Sequence, residues 1–398
     1  MSSPVNPLPV LLALATGGFA IGTTEFATMS LLPFIQNSMQ VNAATASHII
    51  SAYALGVVFG APIITVLAAR IGRKPLLLAL MTMFALGNAL SALAPSYGWL
   101  LTFRFLSGLP HGAYFGLAAL MAASVVPAGR RTQAVGAVML GLTAATIVGV
   151  PLATWLGNAV GWRWGYWCVT ALAAITIALI ARFAPRTGAT AGASPLRELD
   201  ALRSGAVWLT LAIGAIGFGG LFSVYTYLTS TLDQITGMSE AWIPLVLGVF
   251  GLGMTAGNIV VPRFADRAQM PTAGFLLGWT IIALALFPLA TGHVWAITLD
   301  VFCIGFGAAL ATVLQTRLMD VAGDAQNLAA ALNHVAFNMA NALGPWLAGL
   351  ALAAGYGLRS TGVVGCALAV CGLLIWAIAW RSDHTATVRA DRTSAAVR

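Results

Sequence analysis

Twelve apolar runs, each close to or above the length that crosses a lipid bilayer, decide what this chain can fold into. A hydrocarbon core about 30 Å thick takes about 20 residues of helix at about 1.5 Å rise each. Runs of that kind lie at 8–35, 47–69, 75–94, 98–125, 132–157, 164–183, 206–232, 241–263, 271–290, 294–318, 326–353 and 358–380. The composition points the same way. Of 398 residues, 59% are apolar and 8% are charged, against about 25% charged in soluble domains. So few charges do not cover the surface of a soluble globular protein, and the hydrophobicity excludes disorder. The expected fold is an all-α integral membrane protein with twelve transmembrane helices.

Cysteine usage adds no chemistry. Cys168, Cys303, Cys366 and Cys371 each fall in an apolar run, with no CxxC pair and no His/Cys cluster beside them. No disulfide framework, metal site or cofactor is expected. No Lys or Arg precedes the first apolar run, so the basic start of a cleavable signal peptide is missing and the first helix is expected to stay.

Twelve crossings put both termini on one side. If that side is the cytoplasm, sixteen Lys and Arg residues lie in inside segments and two, Arg163 and Arg359, in outside segments; Arg104 falls within a run. The positive-inside rule then gives an N-in, C-in orientation. The formal net charge of +8 is thereby topogenic and faces membrane lipid. No basic stripe with interleaved aromatics suggests nucleic acid.

The longest polar connection, 184–205, reads as a cytoplasmic linker between six-helix halves at 1–183 and 206–381, with 382–398 as a cytoplasmic tail expected to be disordered. Sliding the chain on itself by 194–197 residues aligns Gly60 and Ala69-Arg70 with Gly257 and Asp266-Arg267. The same shift aligns Gly108 with Gly305, Pro151 with Pro345 and Arg163 with Arg359. Parallel halves with a substrate site between them near the midplane form a transporter architecture.

The twelve helices and the repeat resemble the major facilitator superfamily. The loop after the second run, Thr65 to Leu77, is similar to the superfamily's loop 2–3 signature at Leu67, Ala68, Arg70, Gly72, Arg73, Lys74 and Leu77. Thr65 and Ala69 replace the signature's Gly and Asp, while Asp266 keeps the equivalent carboxylate in the second half. Leu100, Arg104 and Gly108 resemble the helix 4 signature, whose intramembrane Arg is linked to proton coupling. Gly141, Gly149 and Pro151 resemble a variant of the exporter signature on helix 5. Gly22-Thr23-Thr24-Glu25-Phe26, Leu32-Pro33, Gly60-Ala61-Pro62, Ser107 to Gly112 and Gly149 to Leu152 are similar to the bacterial subgroup of arabinose-inducible and chloramphenicol-resistance exporters. The resemblance implies a multi-pass protein of the bacterial inner membrane, with Arg70, Gly72, Arg73, Lys74, Asp266 and Arg267 as a gating loop pair.

Ionisable side chains inside lipid are costly and must face water or a partner. Five lie well inside runs: Glu25, Arg104, His111, Asp300 and His334. Glu25 sits about 12 Å from the outer end of its helix and Arg104 about 8 Å from the outer end of its own. The depths are close enough to pair, either as a proton carrier and its modulating cation or as a static link between helices. His111 lies on the Arg104 face about 10 Å deeper. It is open to three roles: a protonation switch, a hydrogen bond to a neighbouring helix, or a substrate contact. His334, Asn338 and Asn341 make one polar helix face, for interhelical bonding or cavity lining. Phe218, Phe222 and Tyr225 form an aromatic stripe, for packing or for ligand. Asp300 lies near the outer surface as a further coupling or substrate position.

No phosphate-binding loop is present, so ATP does not drive transport directly. No paired nucleophile and base or His-Glu metal motif marks an intramembrane enzyme. The expected function is secondary active export of small neutral or amphiphilic solutes, drugs such as chloramphenicol-like compounds or sugars, by proton antiport with alternating access in a monomer. An uncoupled facilitator or sugar uniporter of the same fold is the alternative, and a non-transporting membrane receptor a third.

Overall fold

A computed structural model describes residues 6–41, 43–186, 194–239 and 242–396. Twelve helical segments are long and apolar enough to span a membrane. They are α1 Pro7–Leu32, α2 His48–Leu67, α3 Arg73–Leu93, α4 Tyr97–Ser124, α5 Ala128–Gly157, α6 Arg163–Phe183, α7 Gly205–Gln234, α8 Ile243–Ala265, α9 Gln269–Ala290, α10 Val294–Val321, α11 Gln326–Ala353 and α12 Ser360–Asp383. In lipid a helix satisfies its backbone groups internally, which is why each apolar run emerges as one. The last helix continues through Ala396, past the 381 boundary read from sequence, and of the linker residues 187–193 lie outside the described residues.

The helices form two pseudo-symmetric halves, and close backbone contacts show the repeat. On α2 and α4, a Cβ at Gly56, Gly60 or Gly108 would overlap the carbonyl oxygen of Phe105, Leu109 or Tyr53. On α8 and α10, Gly253, Gly257 and Gly305 meet Phe302, Phe306 and Phe250 in the same way, each 197 positions later. The helix ends repeat as well. Arg163 Nη2 donates to the Ala94 carbonyl at 3.1 Å, and Arg359 Nε donates to Thr291 Oγ1 at 3.0 Å. Each ties the start of a half's last helix to the end of its third.

Glycine at these crossings lets backbones approach as small residues do in membrane bundles. We therefore expect Gly108→Ala and Gly305→Ala each to destabilise the protein by about 1–3 kcal/mol through overpacking, because the obstacle is a carbonyl of the neighbouring helix. Thermal unfolding in detergent checks this. Gly98→Ala is the control, since nothing lies within 4 Å of its would-be Cβ, and it should melt like the unmodified chain.

α5 and α7 are not regular. Ala145–Gly149 and Ile213–Gly217 are π-helical. Pro151 lacks an N–H and so frees the carbonyl a turn earlier, and the wider π turn absorbs the mismatch. Gly141 and Gly149 abut the Ala15 carbonyl and the Thr23 side chain of α1, so the residues of the helix 5 signature seat α5 against α1.

The halves close on each other at the end of the bundle that carries loop 2–3 and the linker. Asp266, after α8, accepts from the Thr132 N–H at 2.6 Å and from the Gln133 N–H and side-chain amide at 3.3 and 2.9 Å. These donors are in the first turn of α5, where a carboxylate satisfies otherwise unpaired N–H groups and meets the helix dipole. Arg131 pairs with Asp320 of α10 at 2.6 Å, and Gln269 donates to the same carboxylate at 2.6 Å.

Candidate functional site

Above this closed end, a cavity opens between the halves. The first half contributes Glu25 and Phe26 from α1, His111 from α4, and Met139, Leu142, Thr143 and Thr146 from α5. The second half contributes an aromatic wall from α7, α8 and α11. Phe218 packs edge-on against Phe222 with ring centroids 5.6 Å apart and tilts against Phe337 at 4.7 Å; Tyr225 meets Phe250 at 4.5 Å. Polar groups join them, with His334, Asn338 and Asn341 on one face of α11. Glu25 is the acidic side chain among the residues that line it.

Glu25 and Arg104 do not meet as the depth argument expects. Among the described residues they form no ion pair. Arg104 Nη1 donates to Thr24 Oγ1 at 3.0 Å, and its guanidinium lies over Tyr53 and Tyr166, 4.4 and 5.3 Å from their ring centroids. Thr24 also donates to Asn88 of α3 at 2.7 Å. Axial rise gives depth but not azimuth. Adjacent helical residues point about 100° apart, so Thr24 faces α3 and α4 while Glu25 faces the cavity. Arg104, 1% exposed, is locked inside the first half one residue away from the cavity carboxylate.

Tyr53 links the two ionisable groups of α4. Its hydroxyl is 3.0 Å from His111 Nδ1 while its ring carries Arg104. His111 in turn faces His334 across the interface of the halves, with ring centroids 5.4 Å apart, and His334 stacks on Phe115 at 4.5 Å. His334 Nε2 is buried with no hydrogen-bond partner among the described residues. Asn338 donates back to the His334 carbonyl at 2.8 Å, which leaves its side-chain oxygen free to accept.

Asp300 does not join this group. It is buried in α10, with Oδ2 unpaired among the described residues, and is not a lining residue of the cavity. The loop residues divide. Arg70 and Arg267 are exposed, and Gly72 precedes the first turn of α3. Lys74 Nζ donates to the Ala181 and Ala184 carbonyls at 2.8 and 2.7 Å. It holds the end of α6 within its own half and does not cross to the other. Tyr53, Asn88, Phe115 and Asp320 had no sequence signal of their own, and Thr24 had one only as part of the Gly22 to Phe26 motif: a Tyr, Thr or Asn in an apolar run is common, and its partner is set by helix rotation.

The sequence profile of the Major Facilitator Superfamily matches residues 14–324, and the chain belongs to that family. It is a multi-pass transporter of small molecules in the inner membrane, not an enzyme. Inner membrane transport protein YdhP of Escherichia coli K12 is 40% identical over 92% of this chain and 94% of its own length. The chloramphenicol resistance protein of Streptomyces lividans is 33% identical over 97% and 100%. The crystal structure of the E. coli fucose:proton symporter FucP superposes with a TM-score of 0.72 at 15% identity, over 93% of this chain and 98% of that one, a likeness of fold.

Proposed function

We propose that this transporter exports neutral, amphiphilic solutes in exchange for protons, with both termini cytoplasmic and the monomer as working unit. The observation that carries the reading is the cavity's division: an aromatic wall on one half, and one carboxylate, Glu25, facing it from the other. A mostly apolar pocket with a few convergent polar groups suits a drug-sized ligand with an apolar body. A carboxylate that is alternately open to either side can release its proton inward and give way to solute. Export, not uptake, is supported by the helix 5 signature and by the resistance named for the S. lividans relative. The orientation is supported by the sixteen-to-two division of Lys and Arg. In that orientation the closed end is cytoplasmic and the cavity belongs to an outward-facing state.

The test is susceptibility of an efflux-deficient bacterium expressing the protein. Chloramphenicol resistance should rise several-fold and collapse with an uncoupler, and Phe222→Ala or Tyr225→Ala should erase most of the gain. Protection from arabinose or another sugar alone, or protection that survives the uncoupler, would instead favour the sugar or facilitator reading.

A further inference from the structure

The pseudo-symmetry exposes a missing part and its replacement. Asp266 caps the start of α5 across the interface, through the N–H groups of Thr132 and Gln133 and the Gln133 amide. Its counterpart in the first half, 197 positions earlier, is Ala69, which has no carboxylate. Counted from the first α-helical residue of each segment, Arg131 and Gln326, the places of Thr132 and Gln133 are taken in α11 by Asn327 and Leu328. Without a carboxylate at residue 69 their donors would face the closed interface uncapped, a costly state for buried N–H groups.

They are not uncapped. The short linker helix Pro195–Leu199 packs against α2 and α11 and delivers Glu198 to the same place. Glu198 Oε2 accepts from the Leu328 N–H at 2.9 Å, and Oε1 accepts from the Asn327 side-chain amide at 2.6 Å. The pattern reproduces that of Asp266: one carboxylate, a backbone N–H of the first turn, and a side-chain amide from the same turn. Glu198 is 3% exposed. Burial raises its pKa, while these hydrogen bonds and the charge of Arg73 in loop 2–3 act in the opposite direction. Ala201, 1% exposed, seats the following turn against Leu328 and Val66.

We propose that Glu198 is a gate-positioning residue that replaces the absent carboxylate of loop 2–3, so that the linker between the halves is itself part of the lock that holds this end closed. Opening this end separates α2 from α11, and Glu198 must then leave the first turn of α11. The linker thereby biases the equilibrium between the two facing states.

The proposal needs only that the halves rock, and its test reads conformation without solute or pH gradient. Failure here is thus distinguishable from failure of the proton-antiport reading. Spin labels at Gly129→Cys and Asp324→Cys, both exposed and in opposite halves, report the width of this end by pulsed electron resonance. The background has Cys168, Cys303, Cys366 and Cys371 replaced by Ala. In nanodiscs, Glu198→Gln should shift the closed-to-open ratio about tenfold towards open, equivalent to about 1.4 kcal/mol. Asp266→Asn should act in the same direction. The decisive variant is Glu198→Ala combined with Ala69→Asp, which returns the carboxylate to the loop and should restore the closed population. A protein that merely misfolds without Glu198 would not be rescued from residue 69. An unchanged distance distribution in Glu198→Gln, or a double variant as open as Glu198→Ala alone, overturns the proposal.

Discussion

Replacing Glu25 by Gln is expected to reduce proton-driven net export to background while exchange of labelled for unlabelled solute continues. The glutamine keeps the size of the side chain and its place on the cavity wall beside Phe26, so solute still binds and the halves still rock. What is lost, on the antiport proposal, is the group that releases and takes up a proton. Exchange needs no change of protonation, and net antiport needs one per cycle. Because no other lining residue among the described residues is acidic, no neighbouring carboxylate is placed to take over. Reconstituted vesicles measured in both modes give the answer. Net transport that persists under a pH gradient would move the coupling away from Glu25, with His111 and His334 next to be replaced.

Arg104→Ala is expected to act differently, losing exchange and net export together. The guanidinium is held by Thr24 and by the faces of Tyr53 and Tyr166, so truncation leaves an empty buried space and removes the bond that Thr24 Oγ1 accepts, while its bond to Asn88 stays. Lost hydrogen bonds and the cavity together cost about 2–4 kcal/mol. Thr24 precedes Glu25, so slackness there misplaces the cavity carboxylate. Lys at 104 should recover part of the stability, since it supplies the charge without the planar fork. Thermal unfolding and exchange, measured on both variants, separate the possibilities. Full exchange with lost net export in Arg104→Ala would make Arg104 a direct coupling partner despite its seat on Thr24.

The contrast between these two residues shows what sequence alone reveals. Counting apolar runs gave all twelve spans because each helix must be self-sufficient in lipid, and the length of the run is the length of the helix. The repeat was legible at Gly60, Gly108 and Arg163 because close backbone contact and helix-end ties admit few residue types. Helical spacing grouped Phe218, Phe222 and Tyr225 on one face of α7 and His334, Asn338 and Asn341 on one face of α11, but left open whether each face packs or lines a cavity. Rotation about the helix axis was not legible. Glu25 and Arg104 share a depth, yet one faces the cavity and the other a neighbouring helix. Nor was Glu198, which lies in a polar stretch that carries no periodicity. Its signal was indirect: Ala69 stands where the repeat and Asp266 call for an acid.

Proton movement that depends on solute is the measurement that decides between antiport and facilitation. Vesicles containing the unmodified protein and a pH-sensitive dye are given a chloramphenicol gradient with no imposed pH difference. Antiport predicts that the lumen changes pH in the sense opposite to the solute's movement, that an uncoupler abolishes the change, and that Glu25→Gln shows none while still binding chloramphenicol. Solute equilibration at a constant internal pH would contradict proton antiport and make the protein a facilitator.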